Sequence, residues 1–374
     1  MLYKEDWDIV KTRFDAFWNR DIIDRCCIAI TSPKKNSNWS KYYEKYDIER
    51  FEDNDTDSIQ HWWCDPEENV KRNEFIFQNT FYGGEALPIA FTNWGAMSMC
   101  SFLGCEPCFN KKSVWYHKVI KDWDSWEWNF DRNNNEYWKI TKDITTAFAQ
   151  EGKDKFFAGL PELGSAADLI SLMRGMDDMC LDMYDNPIQL KNAIRKLTDI
   201  FLELQNELYE IVKPTNAGGG VLPWMSLWMP GKHGNQLACD FSSVISNEMF
   251  KEYFLQELHE ESSWTDYATY HLDGPMCMKN HLDTLLEIER IKAIEWTPGI
   301  GSPLASDPRY IPEYKKIQQK GKQLVLIAEP QEIDFLTSTL NPKGLFIKTY
   351  ASCEEDARDI IKIVERNSKG AMLL

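Results

Sequence analysis

The stretch 267–283, YATYHLDGPMCMKNHLD, carries the pattern from which the fold is read. Its first half is apolar and β-prone, and it ends in polar residues followed by Gly274-Pro275. Its second half leads into HLDTLLEIERI, where Leu282, Leu285 and Leu286 recur at helical spacing. A strand that runs through a tight turn into a helix is one β–α unit. The tripeptide His-Leu-Asp occurs in both halves, at 271–273 and again at 281–283. The first copy is expected at a strand end. The second places His281 and Asp283 on the flanks of an amphipathic helix, as ordinary surface residues.

Seven further runs of the same kind lie outward from this unit: CIAIT (27–31), LPIAFTNWG (87–95), KFFAGLPELG (155–164), GVLPWMSLWMPG (220–231), IKAIEWTPG (291–299), QLVLIAEP (323–330) and GLFIKTY (344–350). Helical patterns separate them. The clearest are 168–184 and 187–212, divided at Asn186-Pro187, where proline suits a first helical turn. Another is 247–264, with a Ser246 cap and Phe250, Tyr253, Phe254 and Leu258 on one face. Shorter ones follow at 308–320 and 354–366. Eight strands alternating with helices predict a parallel sheet closed into one (β/α)8 TIM barrel over 81–374. An N-terminal extension of helices and loops, 1–80, precedes it and contributes the first barrel strand. Within it, Trp7, Val10, Phe14 and Phe17 form one helical stripe. The triple glycine at 218–220 lacks the Gly-Lys-Ser/Thr of a phosphate loop.

Composition narrows the function classes. Hydrophobic residues make up 43% of the 374, and no apolar run approaches the roughly 18–20 residues of a membrane span. With no signal-like stretch at the N-terminus, a cytoplasmic protein is expected, with no membrane partner. The formal charge is −17, from 42 basic and 59 acidic residues, which argues against nucleic acid as a partner. The ten cysteines read as reduced thiols. CSFLGCEPC (100–108) lacks the second pair that a structural zinc site needs. Aromatic residues crowd polar stretches such as HWWCD (61–65), where they either anchor loops or wall a pocket.

In a barrel of this type chemistry sits at the C-terminal strand ends. His271 and Asp273 stand two apart, so a strand turns both side chains to one face, where they can hold a metal or orient an acid/base histidine. Glu295 and Glu329 follow apolar strand residues, and a buried carboxylate needs a cation or a partner. His271, Asp273 and Glu329 are therefore the candidate catalytic and metal-binding set. Asn93, Trp94, Glu162, Trp224, Trp228, Glu295, Trp296 and Lys348 are the candidate substrate-binding residues. No nucleophile elbow or dinucleotide fingerprint occurs.

Three longer runs, FFAGLPELGSAADLISLMRGMDDMCLDMYDNP (156–187), ACDFSSVISNEMFKEYFLQELHE (238–260) with YHLDG (270–274), and GKQLVL (321–326), resemble the uroporphyrinogen decarboxylase superfamily. The likeness extends over roughly 80–365. That superfamily also contains zinc-dependent methyltransferases that move methyl groups between corrinoid proteins and thiols. The resemblance implies the barrel and a methyltransferase-like enzyme acting on a small molecule. It also implies zinc or another divalent metal, and a corrinoid carried by a partner protein. The loop TSPKKNSNWSK (31–41) has lysines but not the arginine with which porphyrinogen decarboxylases meet their carboxylates, so that activity is not expected. Where the methyltransferase branch has His-x-Cys, this chain has His271-x-Asp273, a harder donor set. Cys353 lies past the branch's later cysteine. Two rivals remain: a metal-independent lyase or decarboxylase on a small non-porphyrin substrate, with His271 as acid/base, and a non-catalytic binding barrel.

Overall fold

The apolar alternation of the runs at 268–273, 291–297, 323–327 and 345–350 produces four neighbouring parallel strands in a computed structural model, which describes all residues except Asn129, Ile300, Leu373 and Leu374 and the side chains of 370–372. Numbered along the chain, the strands are β1 (Cys27–Pro33), β2 (Thr80–Gly84), β3 (Ile89–Ala90), β4 (Cys108–Phe109), β5 (Val114–Trp115), β6 (Phe157–Ala158), β7 (Gly220–Leu222), β8 (Leu227–Met229), β9 (Ala268–Asp273), β10 (Ile291–Thr297), β11 (Gln323–Ile327) and β12 (Leu345–Tyr350). A six-stranded sheet runs in the order β2-β1-β12-β11-β10-β9. It is parallel throughout except for β2, which lies antiparallel against β1 at one edge. β3 and β6 form a separate parallel pair.

The architecture is therefore mixed α/β with a mainly parallel sheet, and among the described residues the hydrogen-bonded ladder does not close into a ring. Three of the expected barrel strands differ in the structure. GVLPWMSLWMPG is not one strand but the antiparallel hairpin β7–β8. Its turn follows Pro223 and passes through Ser226, whose φ is 61°. LPIAFTNWG and KFFAGLPELG contribute only the two-residue strands β3 and β6. Next to β9 the chain instead runs through Leu237, whose N–H donates to Thr269 O (2.9 Å) and whose carbonyl accepts from His271 N–H (2.7 Å). GNQLACD, polar and short, gave no strand signal.

Strand alternation sorts the sheet into two cores. On one face Cys27, Ala29, Ala293, Val325 and Phe346 pack against Trp7, Val10, Phe14 and Phe17 of the helix Trp7–Trp18 and against Trp228 of the hairpin. Trp228 sits edge-on to Trp7 (5.4 Å, 78°), and its indole donates to Asn216 O (3.0 Å). On the other face Ile28, Ile30, Ile294, Trp296, Leu324, Leu326, Leu345 and Ile347 meet the surrounding helices. The N-terminal helix thus belongs to the sheet's own core.

The helical expectations are met with local corrections. The run at 247–264 is two helices, Asn247–Tyr253 and Leu255–Trp264, and Ser246 caps the first by accepting from Met249 N–H. His281 is buried rather than a surface residue: its Nε2 lies 2.8 Å from Ser242 O and its ring 4.6 Å from that of Phe250. Asp283 is exposed and pairs with Lys316. All ten cysteines are free thiols. Among the described residues, no helix is long and apolar enough to cross a membrane.

Candidate active site

The centre of the site is set by the register of two strands. β9 and β10 pair His271 with Glu295 and Asp273 with Thr297. Side chains opposite each other in a parallel pair share a face, so His271 and Glu295 meet, and His271 Nδ1 hydrogen-bonds Glu295 Oε2. Glu295 is fully buried, and its second oxygen accepts from the Thr297 hydroxyl (2.8 Å). Both oxygens of an otherwise costly buried carboxylate are thereby engaged. With Nδ1 held, Nε2 is the nitrogen of His271 left for chemistry.

A loop brings the third group. Asp240 opens a short 3-10 turn, Asp240–Val244, and the N–H groups of Asp240 and Phe241 donate to Asp168 at 3.1 and 2.8 Å. Asp168 stands in the first turn of the helix Ala166–Arg174, whose cap Ser165 donates its hydroxyl to the same carboxylate (2.8 Å). The sequence Ser165-x-x-Asp168 thus fixes a helix start and, through it, the Asp240 backbone. One ligand atom from each of Asp240, His271 and Asp273 lies within 4.8 Å of the others. An imidazole and two carboxylates are a nitrogen and oxygen set suited to a divalent cation. The Glu295 contact behind the histidine is the arrangement that orients a metal-binding imidazole.

The electrostatics follow from burial and crowding. Burial opposes a charge on His271, but Glu295, with Asp240 and Asp273, outweighs it and raises the imidazole to about 9. Burial, then Asp168, push the Asp240 carboxyl up to about 7. Glu162 is raised to about 7, chiefly by burial.

These groups line a cavity of about 320 Å³. Its polar wall includes Asn93, Glu162, Gln236, Asp240 and His271, and its apolar wall Phe91, Met97 and Trp224. Trp224 stands at 85° to the His271 ring, 5.2 Å between centroids, and donates its indole N–H to Gln236 Oε1 (2.9 Å). A larger cavity, about 660 Å³, lies beside Lys4, Arg25 and Arg358. Its buried cations are already spent, Lys4 on the carbonyls of Tyr82 and Gly84 and Arg25 on Glu85, so the chemistry points to the smaller one.

Of the residues singled out in the sequence, His271, Asn93, Glu162 and Trp224 line this cavity, and Asp273 and Glu295 adjoin it through His271. Lys348 lies one layer behind, its ammonium bonded to Trp224 O. Three tryptophans lie elsewhere. Trp94 and Trp296 are buried among the helices, the latter edge-on to Tyr310 at 5.2 Å, and Trp228 is in the opposite core. For Trp296 the strand alternation that turns its neighbour Glu295 to His271 turns the tryptophan away. Glu329 does not join the ligand group; it caps the turn Pro330–Glu332 and accepts from Tyr350. Asp240 takes the place expected for it. Asp240 and Gln236 follow no recognisable strand and Met97 lies just beyond the end of LPIAFTNWG, so none of the three stands out in the sequence, although Asp240 lies within ACDFSSVISNEMF (238–250).

The sequence matches no protein-family profile and no curated protein. Among solved structures the chain is similar to a methyltransferase from Methanosarcina mazei, with a TM-score of 0.60 and 12% identity over 96% of this chain and 98% of that one. At that identity the likeness is one of fold, and it extends over nearly the whole of both chains.

Proposed function

We propose that the chain is a methyltransferase-like enzyme that acts on a small molecule in the 320 Å³ cavity, with a divalent cation, zinc or another, held by Asp240, His271 and Asp273. The observation that carries this reading is the imidazole–carboxylate pair His271–Glu295 standing beside two further carboxylates at a cavity wall. The fold likeness to a methyltransferase supports it. So does the strand-end position of the site, which agrees with a barrel of the (β/α)8 type. A bound cation would lower the pKa of the acceptor's nucleophilic group, so that its deprotonated form is available at neutral pH. The chain's own residues do the rest. Glu295 fixes the His271 ring, Asp168 fixes the Asp240 loop, and Trp224 with Phe91 shields the acceptor from water. The methyl donor in this reading is a corrinoid on a partner protein.

One observation favours a second reading. Glu162 is raised to about 7 and lines the same cavity as His271, so it can carry a proton near neutral pH. A metal-independent lyase would use that proton to quench a carbanion left by departing carbon dioxide. The test is loss of the methyl–cobalt absorbance of methylcob(III)alamin with a panel of acceptors. Acceptor-dependent loss that falls in His271→Ala supports methyl transfer. No loss with any acceptor, alongside carbon dioxide release from a carboxylated substrate, overturns it in favour of the lyase.

A further inference from the structure

We infer that the cavity selects a small organic cation, a molecule with a quaternary or protonated ammonium group, which sits between Glu162 and the aromatic wall of Trp224 and Phe91. The inference rests on the cavity being the substrate site proposed above, and it adds the substrate's charge class.

The first observation is the sign of the wall. Among the described lining residues Glu162, Asp168 and Asp240 are acidic, and none is lysine or arginine. Lys348, behind Trp224, is turned to the Trp224 carbonyl. The cation at this wall is the protonated His271 ring, which Glu295, Asp240 and Asp273 already surround, so a carboxylate or phosphate substrate would meet net like charge in a confined space, which costs it affinity. A divalent ion at Asp240, His271 and Asp273 does not reverse this. Its two positive charges are offset by Asp240, Asp273 and Glu295 together, before Glu162 is counted.

The second observation is Glu162 itself. Among the described residues its carboxyl has no hydrogen-bond or ion-pair partner, although its backbone carbonyl accepts from Ser98 N–H (3.1 Å) and so holds the residue in place. Every other acid of the wall is engaged or belongs to the ligand group: Asp168 binds two backbone N–H groups, and Asp240 stands with His271 and Asp273. An unpartnered carboxyl at the wall of an open volume is matched by a ligand cation. Uncharged π faces and a thioether, from Trp224, Phe91 and Met97, complete a lining that attracts ammonium groups through the ring quadrupole without competing hydration.

The test measures binding, so it is independent of turnover. Choline, its uncharged carbon isostere 3,3-dimethylbutan-1-ol and the anion 3,3-dimethylbutanoate are titrated calorimetrically into the full chain, metal-free and zinc-loaded. Choline is expected to bind roughly tenfold or more tighter than the alcohol, and the anion weakest. Glu162→Gln, an isosteric change, should erase the preference while leaving the alcohol unaffected. Trp224→Leu should weaken choline more than the alcohol. Equal affinities, no binding of any probe, tighter binding of the anion, or a cation preference that survives both substitutions would overturn the inference. If methyl transfer fails with every acceptor while the cation preference holds, the functional reading falls and the substrate class stands. If a neutral or anionic acceptor turns over without cation preference, the reverse follows.

Discussion

At the scale of single residues, the site depends on Glu295 as much as on the groups that face the cavity. Its two oxygens hold His271 and Thr297, so the imidazole can present only Nε2. Glu295→Gln keeps the shape but offers a donor on one side, and it loosens the tautomer. The expected result is a loss of metal affinity of about 10–100-fold, with little change in thermal stability relative to His271→Ala. Competition against a chromophoric chelator measures it, and unchanged affinity would remove Glu295 from the account. The two tryptophans of one hairpin make the complementary point. Trp224→Ala is expected to weaken ligand binding with a modest effect on stability. Trp228→Ala should leave binding intact in the folded fraction and cost about 3–5 kcal/mol, because it empties a space walled by Trp7 and Phe14. Chemical denaturation of both variants separates the roles. A sequence cannot distinguish these residues, since four positions apart in GVLPWMSLWMPG both look like strand-end aromatics. The hairpin turn sends one to the cavity and the other to the core.

At the scale of elements, the helix Leu255–Trp264 carries a pair of buried acids, Glu257 and Glu261, one turn apart. Burial, opposed by the Ala166 N–H and reinforced by Asp168, pushes Glu257 up to about 8, and burial with Glu257 holds Glu261 well above the usual carboxyl range. Both are neutral in the folded chain at pH values where the unfolded chain has released their protons. The folded state then binds more protons than the unfolded one, so stability falls as pH rises from the ordinary carboxyl range through about 8. Denaturation midpoints between about pH 5 and about pH 8.5 should show that decline, and Glu257→Gln with Glu261→Gln should flatten it. A wild-type profile that rises over the same range would contradict this. The elements themselves were read from sequence with uneven success. β9 to β12 and the flanking helices were legible because their apolar residues repeat at periods of two and of three to four. β2, with its two glycines, and the strand-like contact at Leu237 carry no such repeat. They are held by neighbours: β2 by its pairing with β1, and Leu237 by Thr269 and His271.

At the scale of the whole molecule, the acidic character noted from composition reappears inside. The candidate active site is ringed by carboxylates, and the His271 imidazole is paired to one of them. Half of the candidate site was legible in HLDG, because strand period alone turns His271 and Asp273 to the same face. The other half required the fold, since Asp240 reaches the site from a loop anchored on a helix start some seventy residues earlier in the chain, at Asp168. Glu329 lies apart from that group for a different reason: the strand it follows, β11, ends at Ile327, so the chain has already entered the capped turn Pro330–Glu332 when it reaches that carboxylate.

The central claim is that Asp240, His271 and Asp273 together hold a divalent cation, and metal content measures it most directly. Protein purified without a histidine tag, loaded with zinc and freed of excess, should retain about one equivalent per chain by plasma mass spectrometry, and Asp240→Ala and His271→Ala should each lose it. Retention of no metal by the wild type, or the same metal in the Asp240→Ala chain as in the wild type, would contradict the account.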